Sequence, residues 1–321
     1  MEVILACLLA GARAGKKPAV TSVFRNEYRI KGDCMNWVSI DKSKCNLCGL
    51  CILRCPSVFK KVGDMIVAQA DEESCNLCGH CISLCESQAI IHSELDMANF
   101  PPASEDANFE TEQFVRFIRN RRSHRHFKKK PISRADLKTL IDAARYAPTG
   151  GNAQAVEIVV VENKDTIKRL SDYTVDFFIS AGKGAQELIG QLATEKKEVP
   201  ESLIRTRRYG KRLKAAREAG MDPIFHGAPA IIIFHAPQEN VSAKDDCVIA
   251  STTLSLLART MGIESTYIGL LVIAAGENRI IHSELQLPPG NDLLSVLIMG
   301  YPRLKYHYNV DRKPIRTRWV S

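Results

Sequence analysis

The chain has 321 residues, 45% of them hydrophobic and 25% charged, which is ordinary globular composition and more than one average domain holds. Its formal charge is +8. No RNA-binding aromatic motif and no recognition-helix signature accompanies that excess, so the expectation is no nucleic acid, with phosphate groups of a small ligand or an acidic protein partner balancing the charge. No run approaches the roughly eighteen apolar residues of a membrane span, and no membrane association is expected.

Residues 1–34 carry no clear structural pattern. VILACLLAGARA is similar to a signal peptide but lacks a basic start, and residues 11–17 miss a phosphate-loop spacing by one and have no following Ser or Thr. At Met35 the text becomes MNWVSIDKSKCNLCG, so Met35 is expected to be the initiator and residues 1–34 a mis-assigned leader. Cys7 and Cys34 fall in or beside that leader and receive no role.

The next stretch holds eight of the eleven cysteines in two runs, KCNLCGLCILRCP and SCNLCGHCISLCE, each spaced C-x2-C-x2-C-x3-C. One short loop with that spacing presents three thiolates to three irons of a cubane, while the fourth cysteine points elsewhere. A zinc site would instead use close cysteine pairs set far apart, and a disulfide framework would suit a short secreted chain. Gly49 and Gly79 fit loops that need close backbone approach and amides turned toward sulfur. The stretch resembles a two-cluster bacterial ferredoxin, with Pro56 as in that family and Glu86 replacing the second proline. The resemblance implies two 4Fe-4S clusters, one held by Cys45, Cys48, Cys51 and Cys85, the other by Cys75, Cys78, Cys81 and Cys55. Short strands near Met35, over 58–70 and at AIIHSEL make residues 35–95 a pseudo-twofold ferredoxin-like domain.

Residues 96–110 have paired prolines and no hydrophobic period, and read as a linker. TEQFVRFIRNRR then predicts a helix with Phe114, Val115, Phe117 and Ile118 on one face. Ser133 and Asp136 form a capping box for a second helix that Pro148 stops. Strands are predicted over 154–161, 228–236, 266–270 and 294–299, with helical segments over 165–220 and 245–261. This alternation indicates a layered domain of mixed helix and strand, and an α+β class for the chain.

Three islands of this part carry chemistry: RRSHRHF from Arg121, APTGGNAQ from Ala147, and YIGL from Tyr267 with the later GYPR and DRKP. Together they resemble the FMN-dependent nitroreductase family over residues 111–321, which implies a three-layer α+β domain, bound FMN and a homodimer. Within that resemblance Arg121 and Ser123, joined by Arg312 or Lys313, match the phosphate contacts, and bidentate guanidinium groups suit a phosphate. Arg125 matches the cation beside the flavin pyrimidine. Thr149, Gly150, Gly151 and Asn152 match a loop that reaches the flavin of the other subunit, and Gly269 a position where amides approach the flavin N5. Ala155 and Val156 depart from the Pro-Trp common in relatives. His124 and His126 fit no metal spacing and read as surface or packing residues, and Cys247 as a small buried hydrophobe. The basic stretch 195–220 reads as a solvated helix face, or else as a docking patch for an acidic carrier.

The expectation is therefore a cytoplasmic oxidoreductase that takes electrons from a low-potential donor (ferredoxin, flavodoxin or NAD(P)H) through two clusters to FMN and a small organic acceptor, a nitro compound, quinone or enone. No dedicated protein nucleophile is expected. A reductive dehalogenase, or an electron-transfer or redox-sensing module without organic substrate, remains an alternative, because fold does not choose among them.

Overall fold

A computed structural model describes residues 36–103 and 110–320. The readings at residues 11–17, Met35, Cys7 and Cys34, and residues 104–109 of the linker, lie outside the described residues. Two units are distinguished: residues 36–103 with Glu110 and Thr149–Ala153, and Thr111–Pro148 with residues 154–320.

In the cysteine-rich unit the pattern strand, cysteine loop, short helix, strand occurs twice. The first copy is β1 (Val38–Ile40), α1 (Leu50–Arg54) and β2 (Phe59–Val62), the second β3 (Met65–Ala68), α2 (His80–Leu84) and β4 (Ile90–His92). Each strand of one copy pairs antiparallel with a strand of the other, β1 with β4 and β2 with β3. Val38, Val58, Phe59, Ile66, Ala70 and Ile90 form its core, and six of the eight clustered cysteines pack against it. The start of the expected linker is not featureless. Asp96 Oδ1 accepts from the Ala98 amide to cap a 3-10 turn over Met97–Asn99, and the Phe100 ring lies where a Cβ on Gly79 would be, 2.8 Å from it.

The larger unit is built on a four-stranded antiparallel sheet in the order β5 (Glu157–Val161), β6 (Ala230–Pro237), β8 (Asn291–Gly300), β7 (Glu264–Tyr267). Its helices are α3 (Thr111–Asn120), α4 (Arg134–Ala144), α5 (Lys164–Thr194), α6 (Glu201–Glu218), α7 (Ala243–Thr260), α8 (Gly269–Glu277) and α9 (Arg279–Glu284). Strand β6 is apolar without alternation because both of its faces are covered. Ile231 and Ile233 point to a core shared with α5, α8 and α9, while Ile232 and Phe234 point to one shared with α4 and α7. The result is three layers, helix, sheet, helix, within an α+β chain. Each of those side chains, at most 1% exposed, contributes about 1.5–3 kcal/mol by burial. At α4 the expected cap is present, Ser133 Oγ accepting from the Asp136 amide at 3.0 Å.

One expectation needs correction. The strand expected over 266–270 ends at Tyr267, and Gly269 and Leu270 open α8 instead. That helix is apolar on nearly all sides, so it lacks the periodicity that marks a helix in sequence. The apolar face of α3 exists but is not buried within the chain: Phe114, Val115 and Ile118 are 43%, 47% and 45% exposed.

Candidate cofactor sites

The cysteine loops are shaped by left-handed backbone at equivalent positions. Leu47 (φ 61) and Gly49 (φ 75) recur as Leu77 (φ 56) and Gly79 (φ 68). Glycine adopts this conformation freely, whereas a leucine there costs about 1 kcal/mol or more, which is tolerated where the turn directs amides toward a bound anionic centre. Cys45, Cys48, Cys51 and Cys85 line one small cavity, together with Cys81 and the apolar wall of Ile40, Ile66 and Ile90. Burial pushes the Cys81 thiol up to about 11, and the neighbouring thiols that add to this are Cys75, Cys78 and Cys55. Cys75 is raised for the same reason, again with Cys78 and Cys55 beside it. Both groups therefore mix cysteines of the two runs: Cys81 and Cys85 join Cys45, Cys48 and Cys51 at the cavity, and Cys55 stands beside Cys75, Cys78 and Cys81. Among the described residues no three His, Cys, Asp or Glu side chains converge on a single ion. The nine described cysteines are free thiols.

Hydrogen bonds to sulfur follow the repeat and then break it. Ser57 Oγ is 3.5 Å from Cys55 Sγ and Ser87 Oγ 3.6 Å from Cys85 Sγ. His92 Nε2 is 3.5 Å from Cys75 Sγ. Because His92 Nδ1 accepts from the Glu94 amide at 3.1 Å, the neutral ring carries its proton on Nε2 and donates to the sulfur. Burial favours that neutral ring. The equivalent position of the first copy, thirty residues earlier, is Val62, which has no donor.

In the larger unit a cleft of about 720 Å³ is lined by Arg125, Tyr209, Arg212, His226, Gly269 and Leu270, among others. The first turn of α8 borders it, with no side-chain cap, and presents the positive end of a helix. A Cβ on Gly269 would meet nothing within 4 Å, so the missing side chain leaves open space at this point. Asp222 organises the opposite rim. Its Oδ1 accepts from Ser171 Oγ at 2.9 Å and from the Ile224 and Phe225 amides, and its Oδ2 from the Gly227 amide at 3.1 Å. That turn holds His226 in left-handed backbone (φ 56) against the cleft. Burial lowers the His226 pKa, and Arg125, His126 and Arg212 lower it further against the pull of Asp222.

Arg125 and Gly269 are thus brought to one cleft. Arg121 is half-buried and acts electrostatically on His124 and Glu264, and neither it nor the exposed Ser123 is among the lining residues. Arg312 and Lys313 lie on an exposed arm, away from that lining. Thr149 precedes a turn over Gly150–Asn152, with Gly151 and Asn152 both at φ 58, that groups with the cysteine-rich unit, Asn152 Nδ2 donating to the Asn76 carbonyl at 2.9 Å. Sequence reasoning missed Asp222, His226, Tyr209 and Arg212. The Asp-Pro pair at 222–223 signals a turn, but not what the turn faces. The basic stretch 195–220 is divided: α6 turns Tyr209, Arg212 and Leu213 to the cleft and keeps other cations on its outer side.

Residues 118–301, more than half of the chain, match the model of the nitroreductase family. The chain belongs to the nitroreductase family. Residues 37–86 of this nitroreductase-family chain match a 4Fe-4S dicluster domain. A protein of Archaeoglobus fulgidus that carries the provisional name NADH dehydrogenase/NAD(P)H nitroreductase is 23% identical over 198 residues, 60% of this chain and 87% of the relative. Among solved structures, a nitroreductase with bound FMN from Desulfitobacterium hafniense is 22% identical at a TM-score of 0.48, covering 65% of this chain and 100% of that one. Another with bound FMN, from Bacteroides fragilis, is 20% identical at a TM-score of 0.48, covering 66% and 98%.

Proposed function

We propose that this chain is an FMN-dependent oxidoreductase that accepts electrons singly at two 4Fe-4S clusters and delivers them, through FMN, to a small organic acceptor such as a nitro compound, quinone or enone. The observation that supports this reading is that cysteines of the two runs stand together, Cys85 and Cys81 with Cys45, Cys48 and Cys51, and Cys55 with Cys75, Cys78 and Cys81, in a chain whose second part has a cleft bordered by a cation and an open helix start. When bound, the clusters supply one-electron transfer and the flavin supplies exchange between one- and two-electron steps. Residues 35–95 form the cluster domain, 96–110 the connection and 111–321 the flavin domain. Cys45, Cys48, Cys51 and Cys85 hold one cluster, and Cys75, Cys78, Cys81 and Cys55 the other.

The cleft suits a flavin. Gly269 leaves room for a flat ring, the first amides of α8 offer donors to its polar edge, and Arg125 offers a positive charge. Arg121, Ser123, Arg312 and Lys313 are assigned to the phosphate. Thr149, Gly150, Gly151 and Asn152 are assigned to the flavin of a second subunit. A homodimer is supported by apolar surface that one chain leaves uncovered: the α3 face, and Ile315, Trp319 and Val320 of the arm, which are 87–91% exposed. Among the described residues no helix is long and apolar enough to cross a membrane, and clusters with free thiols suit a reducing, cytoplasmic setting. A ferredoxin, a flavodoxin or NAD(P)H is the proposed donor.

Cys45→Ser and Cys75→Ser test the reading. Each variant, folded and flavin-loaded, is expected to lose turnover driven by a reduced ferredoxin-type donor while its chemically reduced flavin still reduces the acceptor. A cluster-deficient variant that keeps the full donor-driven rate would overturn the route. Light scattering of the flavin-loaded protein should give twice the chain mass of 35.7 kDa, and a monomer with stoichiometric FMN would overturn the dimer.

A further inference from the structure

Residues 121–126 run without helix or strand into a bridge between Phe127 and Pro302, and their side chains serve two different spaces. Arg125 borders the cleft described above, whereas Arg122 and His124 border a separate open cavity of about 580 Å³ that residues 302–309 also line. We propose that this second cavity binds the phosphate groups of a nucleotide. The inference goes beyond the flavin reading and does not rest on it.

The size lies within the roughly 300–1,000 Å³ of small-molecule pockets. Arg122, Lys128, Arg259, Arg303 and Lys305 line the cavity, and the one carboxylate there, Glu264, already accepts from Arg259 Nη1 at 2.6 Å. Burial and the guanidinium groups of Arg259, Arg121 and Arg122 lower the His124 pKa, which favours the neutral ring 3.8 Å from Glu264. Two guanidinium groups are fixed in place. Arg122 Nη1 donates to the Arg119 and Arg121 carbonyls at 2.7 and 2.8 Å, and the Arg259 guanidinium lies 5.4 Å from the Phe117 ring centroid. Planar guanidinium groups match phosphate oxygens bidentately. Tyr306 packs edge-on against His124 at 5.0 Å, and Tyr308 is 88% exposed at the same cavity. Cations beside exposed aromatic rings bind phosphate and stack a base.

Calorimetric titration of the full chain, in excess FMN so that the first cleft is filled, uses ADP, pyrophosphate and adenosine as probes. ADP should bind more tightly than pyrophosphate, adenosine should give no measurable heat, and ADP affinity should fall steeply with salt. The double variant Arg303→Ala/Lys305→Ala alters two exposed side chains and should weaken ADP binding about tenfold or more, with an unchanged melting temperature. The proposal is overturned if millimolar ADP gives no heat, if the double variant binds ADP as well as the parent, or if adenosine or pyrophosphate binds as tightly as ADP.

Discussion

His92 distinguishes two cysteine loops that are otherwise near copies. Its Nε2–H donates to Cys75 Sγ, and a donor on a ligand sulfur favours the reduced, more negative cluster. His92→Phe should therefore lower the potential of the cluster proposed to be held by Cys75 by on the order of 20–60 mV, the one-electron equivalent of one hydrogen bond. An EPR-monitored redox titration reads this directly, and an unchanged potential would show that the contact does not tune the centre. Gly269 gives a second prediction: Gly269→Val places a branched side chain in open space, so the melting temperature should hold while FMN affinity, measured by flavin fluorescence, falls at least about tenfold. At this scale the two cysteine runs stood out by their spacing, whereas Arg125 and Gly269, which meet at one cleft, were singled out only by the family resemblance. His226 and Asp222 were not legible, because their place depends on a turn packed against α5 through Ser171, fifty-one positions away.

Helices α5 and α6 meet through glycine. A Cβ on Gly210 would stand 2.6 Å from the Phe178 carbonyl oxygen and 3.1 Å from the Gly182 Cα, both backbone atoms that cannot swing aside. Gly210→Ala should separate the pair and destabilise the protein by about 1–3 kcal/mol in urea unfolding. It should also weaken FMN binding, because α6 carries Tyr209 and Arg212 to the cleft. A variant as stable as the parent would contradict the close approach. Element types were largely legible, since β-branched runs such as AIIIFHA and the capping box at Ser133 are local signals. The pairing order β5-β6-β8-β7 was not, for periodicity reports which face a strand buries and not its neighbour. The end of β7 was misplaced because α8 has neither a polar cap nor a polar face of the usual width.

For the whole molecule, buried histidines set the acid limit. Burial lowers the pKa of His124, His235, His282 and the half-buried His226, with a backbone hydrogen bond at Asn278 pulling His282 the other way. Below an unfolded-state value of about 6.5 the unfolded chain takes up protons that the folded chain refuses, so stability is lost as pH falls from there toward the folded values. Glu264, whose pKa burial raises, works in the opposite sense at lower pH. The melting temperature should drop between pH 7.5 and 5.5, and His282→Gln should flatten the drop; identical slopes for parent and variant would remove His282 from the explanation. The segment 121–126 imposes a constraint of a different kind, on descent. Because Arg122 and His124 border one cavity and Arg125 the other, substitutions can adjust either one alone, but a single-codon insertion or deletion between them would displace Arg125 relative to the other two. Lineages that keep both sites are expected to vary this stretch in letters and never in length.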